Sequence, residues 1–438
     1  MSGALVGNGV TVTEQAHAYE TIRLGALHRL ERDRIDPQAD LEGVRAVVAG
    51  CVDAYQRRAH LGDGRALADP ADMTARVLAS ITDFGPLSDL FARSDVEEIF
   101  IEGGRVTFID TTGRLQGSRT PTTEQENRQL VDRLLATTQR TLDASTPLVQ
   151  ARVLDGKARL TAAQDPVAEG LSATIRRHLM KKETLRSLVE RGSLSLPAAG
   201  FLWALMQSTS SVVTSGPPGA GKTSLLSAML GAVPSTHCVR CCEEIRELFV
   251  PLTHGAYYEA RPPALDGSSE VSLRDLVKFV LAMRPDLIVV GEVRGSEAFE
   301  LTRAVNAGTG FACTVHANSA RDALNALVNA AIMAGENVRE DVVRKVFSSS
   351  IDFVVHLDRD DINRADPAEG IRRQVMEIIG VVPALTDDFS TEAIFLRPAL
   401  GKGLLWTGVM PRNAELIERS LPEGMTLQGI LEGRVSPL

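Results

Sequence analysis

From about Glu20 to Ser80 apolar residues recur at helical spacing, Leu41, Val44, Val48 and Val52 among them, with Arg-rich and Asp-rich faces between. The spacing predicts a helical region over residues 1–80, its charges forming solvated faces. Residues 96–100 and 105–110 read as two short strands separated by Gly103-Gly104, and Thr111-Thr112-Gly113 turns into a third. Thr123 with Glu126 forms a capping box, and Leu130, Val131, Leu134 and Leu135 give the following helix an apolar face. Residues 81–175 therefore fit an α+β domain. The stretch 172–192 is basic and polar (Arg176, Arg177, Lys181, Lys182, Arg186, Arg191), which suits a linker, set at residues 176–195.

After Gly192 short apolar strands alternate with helices, the rhythm of a parallel α/β sheet spanning residues 196–438. Residues 211–214, 238–242, 287–290 and 312–315 are the candidate central strands, each followed by polar residues. That placement matters because open α/β sheets bind ligands beyond the carboxyl ends of their strands. A polar insert at 358–370 is expected to separate this core from a β-rich C-terminal piece. No fixed-period repeat is seen.

A chain of 438 residues has room for two to three domains at ~150 residues each. With 44% apolar and 24% charged residues it reads as an ordinary soluble globular protein. Its net charge of −9, without a basic block, argues against a protein that coats nucleic acid, although a local basic patch is compatible with it. The longest apolar stretch, residues 197–206, is about half of the ~20 residues a bilayer crossing needs, and residues 1–20 lack a basic-then-apolar signal pattern. The expectation is a cytoplasmic protein that touches a membrane only through partners. Five cysteines are too few for a disulfide framework. Cys238, Cys241 and Cys242 cluster in a β-prone run, where they read as small buried hydrophobes, or alternatively as a redox or metal site.

Gly216-Pro217-Pro218-Gly219-Ala220-Gly221-Lys222-Thr223 satisfies G-x-x-x-x-G-K-[ST] between a predicted strand and a predicted helix, and with Ser224 these are the candidate nucleotide-binding residues. The glycines let backbone N–H groups close around phosphates, and the helix N-terminus adds positive potential. Lys222 would reach the β/γ-phosphates of ATP and Thr223 would ligate Mg²⁺. Leu287-Ile288-Val289-Val290-Gly291-Glu292 is a buried strand ending in an acid, as a P-loop site requires for holding the metal; without a P-loop upstream it would read as a surface glutamate. Glu243-Glu244 follows the second strand, with Glu247 beyond. A carboxylate there can orient or deprotonate the attacking water, and equally a cluster of acids can be a solvated helix start. Thr314-Val315-His316-Ala317-Asn318 closes the fourth strand, so His316 is either a satisfied polar residue or a donor that reports the γ-phosphate. Ser319 with Asp322 then resembles a capping box.

Taken in order, four segments resemble the type II/type IV secretion ATPase superfamily: the P-loop, Val239-Arg240-Cys241-Cys242-Glu243-Glu244-Ile245-Arg246-Glu247-Leu248, Arg284-Pro285-Asp286 leading to Gly291-Glu292-Val293-Arg294-Gly295-Ser296-Glu297-Ala298, and Thr314-Val315-His316-Ala317-Asn318. In that family these are the Walker A, Asp-box, Walker B and His-box motifs. The chain looks closest to the tight-adherence (Flp) pilus assembly ATPases, the CpaF-type branch, on Arg261-Pro262-Pro263, Glu270-Val271-Ser272-Leu273-Arg274-Asp275-Leu276, Gly85-Pro86-Leu87, Leu154-Asp155-Gly156 and Ile175-Arg176-Arg177. The resemblance spans roughly residues 80–435. It departs at Glu244, where the family usually has Asp, at Ala282, and at Thr309-Gly310.

The resemblance implies a PAS-like α+β N-terminal domain followed by a RecA-like P-loop ATPase domain, assembled as a homo-hexamer that hydrolyses ATP with Mg²⁺. Glu243 matches the family's water-positioning glutamate, and Arg176, Arg177, Arg261 and Arg274 match arginines that approach the nucleotide. Such a motor would drive pilus assembly or protein secretion through an inner-membrane platform protein, without binding nucleic acid itself. The alternatives are a conjugation-type ATPase for DNA or effector export, and a slow-turnover regulatory scaffold suggested by Glu244.

Overall fold

The computed structural model describes residues 12–438 apart from 38, 119–121, 139, 178–182, 249–251, 262–269, 307, 336, 361–371 and 384–387. Contacts divide the chain into two units, Met1–Leu179 and Met180–Leu438.

The first unit opens with helices Val12–Asp33, Leu41–His60 and Pro70–Thr82. Asp40 caps the second by accepting from the Gly43 amide, and Asp69 caps the third, with Pro70 in the first turn where its missing N–H costs nothing. Val44, Val48 and Val52 form the buried stripe the spacing predicts, closing on Ile22, Ala26, Val77 and Ile81.

Six strands follow: β1 (Val96–Glu102), β2 (Arg105–Asp110), β3 (Leu115–Gly117), β4 (Leu148–Val153), β5 (Ala158–Ala163) and β6 (Ser172–Arg177). They form one antiparallel sheet in the order β3-β2-β1-β6-β5-β4. Helix Glu124–Ala136, started by the expected capping box, packs Leu130, Val131 and Leu134 against Ile99, Ile101 and Leu160. The basic stretch that suggested a linker begins instead as strand. Ala173 and Ile175 point into the core, while Ser172, Thr174 and Arg176 occupy the alternate positions, so β6 sits at the centre of the sheet.

The second unit carries β7 (Val212–Gly216), β8 (Cys238–Glu243), β9 (His254–Glu259), β10 (Leu287–Val293), β11 (Gly310–His316), β12 (Phe353–Asp360), β13 (Arg372–Val382), β14 (Ser390–Leu396) and β15 (Leu405–Trp406). They form one sheet ordered β15-β14-β13-β12-β7-β11-β10-β8-β9, in which β12, β7, β11, β10, β8 and β9 run parallel. Helices cover both faces. Leu276, Leu301, Leu324 and Phe347 pack on one side, and Phe201, Leu202, Leu225 and Met229 on the other. β7 has parallel neighbours on both edges and is buried at every residue.

The proposed polar insert is corrected at its start. Asp358, Arg359 and Asp360 belong to β12, which pairs with β7, and β13 returns antiparallel beside it. The C-terminal strands thus extend the same sheet rather than forming a separate piece, because the apolar run of 353–357 has its partner in β7. The rest of the insert lies outside the described residues.

Candidate active site

β7 delivers the P-loop. A Cβ at Gly216 would lie 2.4 Å from the Leu357 carbonyl oxygen, so only glycine lets the loop leave the sheet against β12. Gly219 (φ +75°) and Gly221 (φ +93°) adopt the left-handed conformation, and Gly221 is the N-cap of helix Lys222–Leu230. The turn therefore presents backbone amides and a helix N-terminus to one point, a cradle suited to a polyphosphate. Thr223 is half-buried at its edge and Ser224 exposed.

Lys222 is buried, and its ammonium donates to the carbonyls of Gly216 (3.0 Å) and Pro217 (3.2 Å) and to His316 Nδ1 (3.1 Å). An ammonium has no lone pair, so His316 Nδ1 must accept. The ring proton is then on Nε2, which donates to Glu292 Oε1 at 2.6 Å. Burial, and then the charge of Lys222, hold the His316 pKa below its ordinary value, consistent with a neutral ring.

Glu292 sits where the β10–β11 register slips between Val290 and Val293, a bulge that re-aims its carboxylate. Arg294 grips that carboxylate with two bonds of 2.8 Å each and reaches Glu244 at 3.8 Å. A continuous chain of hydrogen bonds and ion pairs thus runs Lys222–His316–Glu292–Arg294–Glu244. The Thr223 hydroxyl and Glu292 carboxylate are hard oxygen donors suited to Mg²⁺. A cation taken up at Glu292 competes with Arg294 and His316 for the same oxygens.

Glu243 is placed differently. Its carboxylate is 3% exposed and accepts from the amides of Glu247 and Leu248, both at 3.0 Å. Burial overrides those bonds and pushes its pKa up to about 7. It packs against Gly291, where a Cβ would come within 2.7 Å of Glu243 Cγ, so the residue before Glu292 must be small. Cys241 and Cys242 are buried in β8, and burial raises both thiols, Cys242 to about 12. They pack as small hydrophobes.

The four arginines singled out by resemblance have other partners. In the first unit Arg176 pairs with Glu98 at 2.5 Å, and Arg177 donates to the carbonyls of Leu90 and Arg93. In the second, Arg274 binds Glu300 (3.0 Å) and the Ala334 carbonyl (3.3 Å), while Arg261 is exposed and bridges to Val271 through its backbone. Two other arginines lie at the P-loop. Arg359 brings Nη1 to 2.8 Å from the position a Gly219 Cβ would take, and Arg373 Cδ lies 3.8 Å from that of Gly221. Spacing along the chain gave no sign of them; the antiparallel register Arg359↔Arg373 brings them together. Arg294 was visible as a motif residue, but its grip on Glu292 was not.

The family described as Type II/IV secretion system protein matches residues 98–376. A "Putative conjugal transfer protein" of Mycobacterium tuberculosis is 31% identical over 318 residues, covering 70% of this chain and 88% of that protein. The type IV secretion system protein PtlH of Bordetella pertussis is 27% identical, covering 66% of this chain and 91% of its own length. Among solved structures, the Legionella pneumophila ATPase DotB aligns with a TM-score of 0.43 at 16% identity, over 67% of this chain and 78% of that one.

Proposed function

The chain belongs to the type II/IV secretion system protein family, and we propose that it is an Mg²⁺-dependent ATPase that powers transport of protein or assembly of a pilus. The observation that supports this reading best is the convergence at the carboxyl ends of β7, β11 and β10. There the P-loop lysine is tied through His316 to the carboxylate of Glu292.

In this reading the loop from Gly216 to Thr223 and the helix dipole hold the phosphates, with Lys222 on the β/γ-phosphates. Thr223 and Glu292 hold Mg²⁺, which neutralises charge on the leaving phosphoryl group. Glu243, with a pKa about 7, is poised to accept a proton near neutrality and acts on the attacking water. His316, bonded to Lys222 on one side and Glu292 on the other, reports whether a γ-phosphate is present. Closure of domains or subunits would bring Arg176, Arg177, Arg261 and Arg274 to the nucleotide, which is why a homo-hexameric ring is part of the proposal. The ring works at the cytoplasmic face of an inner membrane through a platform protein. Among the described residues no helix is long and apolar enough to cross a membrane.

A tight-adherence pilus is the system proposed first. Conjugative transfer is a second reading, favoured by the relative from Mycobacterium tuberculosis and by the conjugal transfer protein TrbB of Rhizobium radiobacter, which is 26% identical over 57% of this chain and 72% of its own length. Steady-state phosphate release tests the core of the proposal. The wild-type chain turns over ATP only with Mg²⁺, and Lys222→Ala abolishes turnover. Equal rates in the two proteins, or no measurable release by wild type, overturn the motor; the latter result favours a nucleotide-binding scaffold. A strictly monomeric chain in light scattering, with activity per subunit independent of concentration, removes the ring.

A further inference from the structure

The P-loop has two flanks, and the proposed chemistry occupies one. On the β11 and β10 side stand His316, Glu292 and Arg294. On the other side β12 runs past the last β7 residue it pairs with, Ser215, so that Asp358, Arg359 and Asp360 lie beyond that pairing, beside the P-loop. β13 returns there with Arg373 directly opposite Arg359. The two arginines share one face of the ribbon, the Arg359 guanidinium against Gly219 and the Arg373 stem against Gly221.

We propose that Arg359 and Arg373 are nucleotide-binding residues that hold the α-phosphate side of the nucleotide, opposite the γ-phosphate side read by His316. The proposal rests on the ATPase reading and assigns the second flank of the same site. The direction of the nucleotide follows from Lys222, which serves the β/γ-phosphates and is bonded to His316 on the β11 side. A polyphosphate lying across the loop with its γ end toward His316 turns its α-phosphate and ribose toward β12 and β13. Guanidinium groups suit that position because each offers several donors in a plane to phosphate oxygens. Neither arginine then senses hydrolysis, since the phosphate they contact is common to ATP and ADP.

This distinguishes them from the other candidates. Arg359→Gln and Arg373→Gln, checked for an unchanged melting temperature, are titrated with ADP by calorimetry and assayed for ATP turnover. Each is expected to weaken ADP binding about 10- to 100-fold, the loss typical of a charge-assisted contact, and to raise the KM for ATP by a similar factor. The rate at saturating ATP should hold, and Arg359→Lys and Arg373→Lys should recover part of the affinity. ADP affinity equal to wild type in both Gln variants overturns the proposal. So does a loss confined to ATP or to kcat, which would put the arginines on the γ side. If the wild-type chain binds no ADP, the ATPase reading falls and this assignment with it. Wild-type binding that ignores the substitutions removes this assignment alone.

Discussion

The two sheets of this protein are built from strands of similar length but bury them in opposite ways. In β5 of the first sheet, Ala158, Leu160 and Ala162 are buried while Thr161 between them is exposed. In the second sheet β7, β10 and β11 bury consecutive residues, since helices cover both faces. A sheet with one wet face can display polar side chains anywhere along its strands. A sheet covered twice can display them only at its ends. Glu243, Glu292 and His316 accordingly occupy the last or next-to-last positions of β8, β10 and β11, and Lys222 opens the helix that follows β7.

The largest expected effect tests whether the strand ends of the second sheet are the seat of the chemistry. Glu243→Gln should retain ATP binding but lower kcat by on the order of 10²–10³, or about 3–4 kcal/mol. Single-turnover and binding assays on the variant check it, and equal loss of nucleotide affinity would contradict the division of labour with Glu292.

The same residue gives the covered sheet a pH dependence. Its folded pKa, about 7, lies above the usual glutamate value of 4.5, so the folded state holds the proton more tightly. Its contribution to stability is complete below pH ~4.5 and is lost as pH rises through ~7, by about 3 kcal/mol in all. Urea unfolding between pH 5 and 8 should show this decline in wild type and a flatter profile in Glu243→Gln; parallel profiles would exclude it.

Third in size is the contrast between the sheets themselves. Val289→Thr, like Ile288→Thr beside it, should cost about 1–3 kcal/mol, because a hydroxyl is buried whichever face the residue points to. In the first sheet Leu160→Thr should cost as much while Thr161→Val stays within about 0.5 kcal/mol. Chemical denaturation of the four variants decides the matter, and a strong penalty at Thr161 would break the comparison.

The smallest effect concerns His316. His316→Ala should slow turnover about tenfold, near 1.4 kcal/mol, with little change in ADP affinity. Weaker ADP binding with normal turnover per bound nucleotide would make the histidine structural.

How much of this was legible in the sequence follows the same division. The four candidate strands of the second sheet read directly because a doubly covered strand is mainly apolar, with Arg240 in β8 the one charged residue among them. The P-loop read because its glycines have no substitute at those backbone angles. β6 was obscured by its charged end: Arg176 and Arg177 made the segment look like a linker although Ala173 and Ile175 keep strict alternation. β12 was not read as a strand, and its last three residues, Asp358 to Asp360, looked like the start of a polar insert. The pairing of Arg359 with Arg373 was illegible in principle, because strand register is not written in local spacing. The direction of the Glu243 carboxylate, inward onto two amides rather than into the bonded chain reached by Glu244, likewise depends on packing against Gly291.

The burial of the cysteines has a practical side. Cys51, Cys241, Cys242 and Cys313 are buried with their thiols shifted away from the reactive thiolate, whereas Cys238, at the start of β8, is half-exposed. The native chain therefore carries what amounts to a single addressable thiol. A maleimide dye placed there labels one end of the strand whose other end carries Glu243, leaving the folded protein otherwise unmodified. It offers a fluorescence reporter on β8 without the removal of any native cysteine.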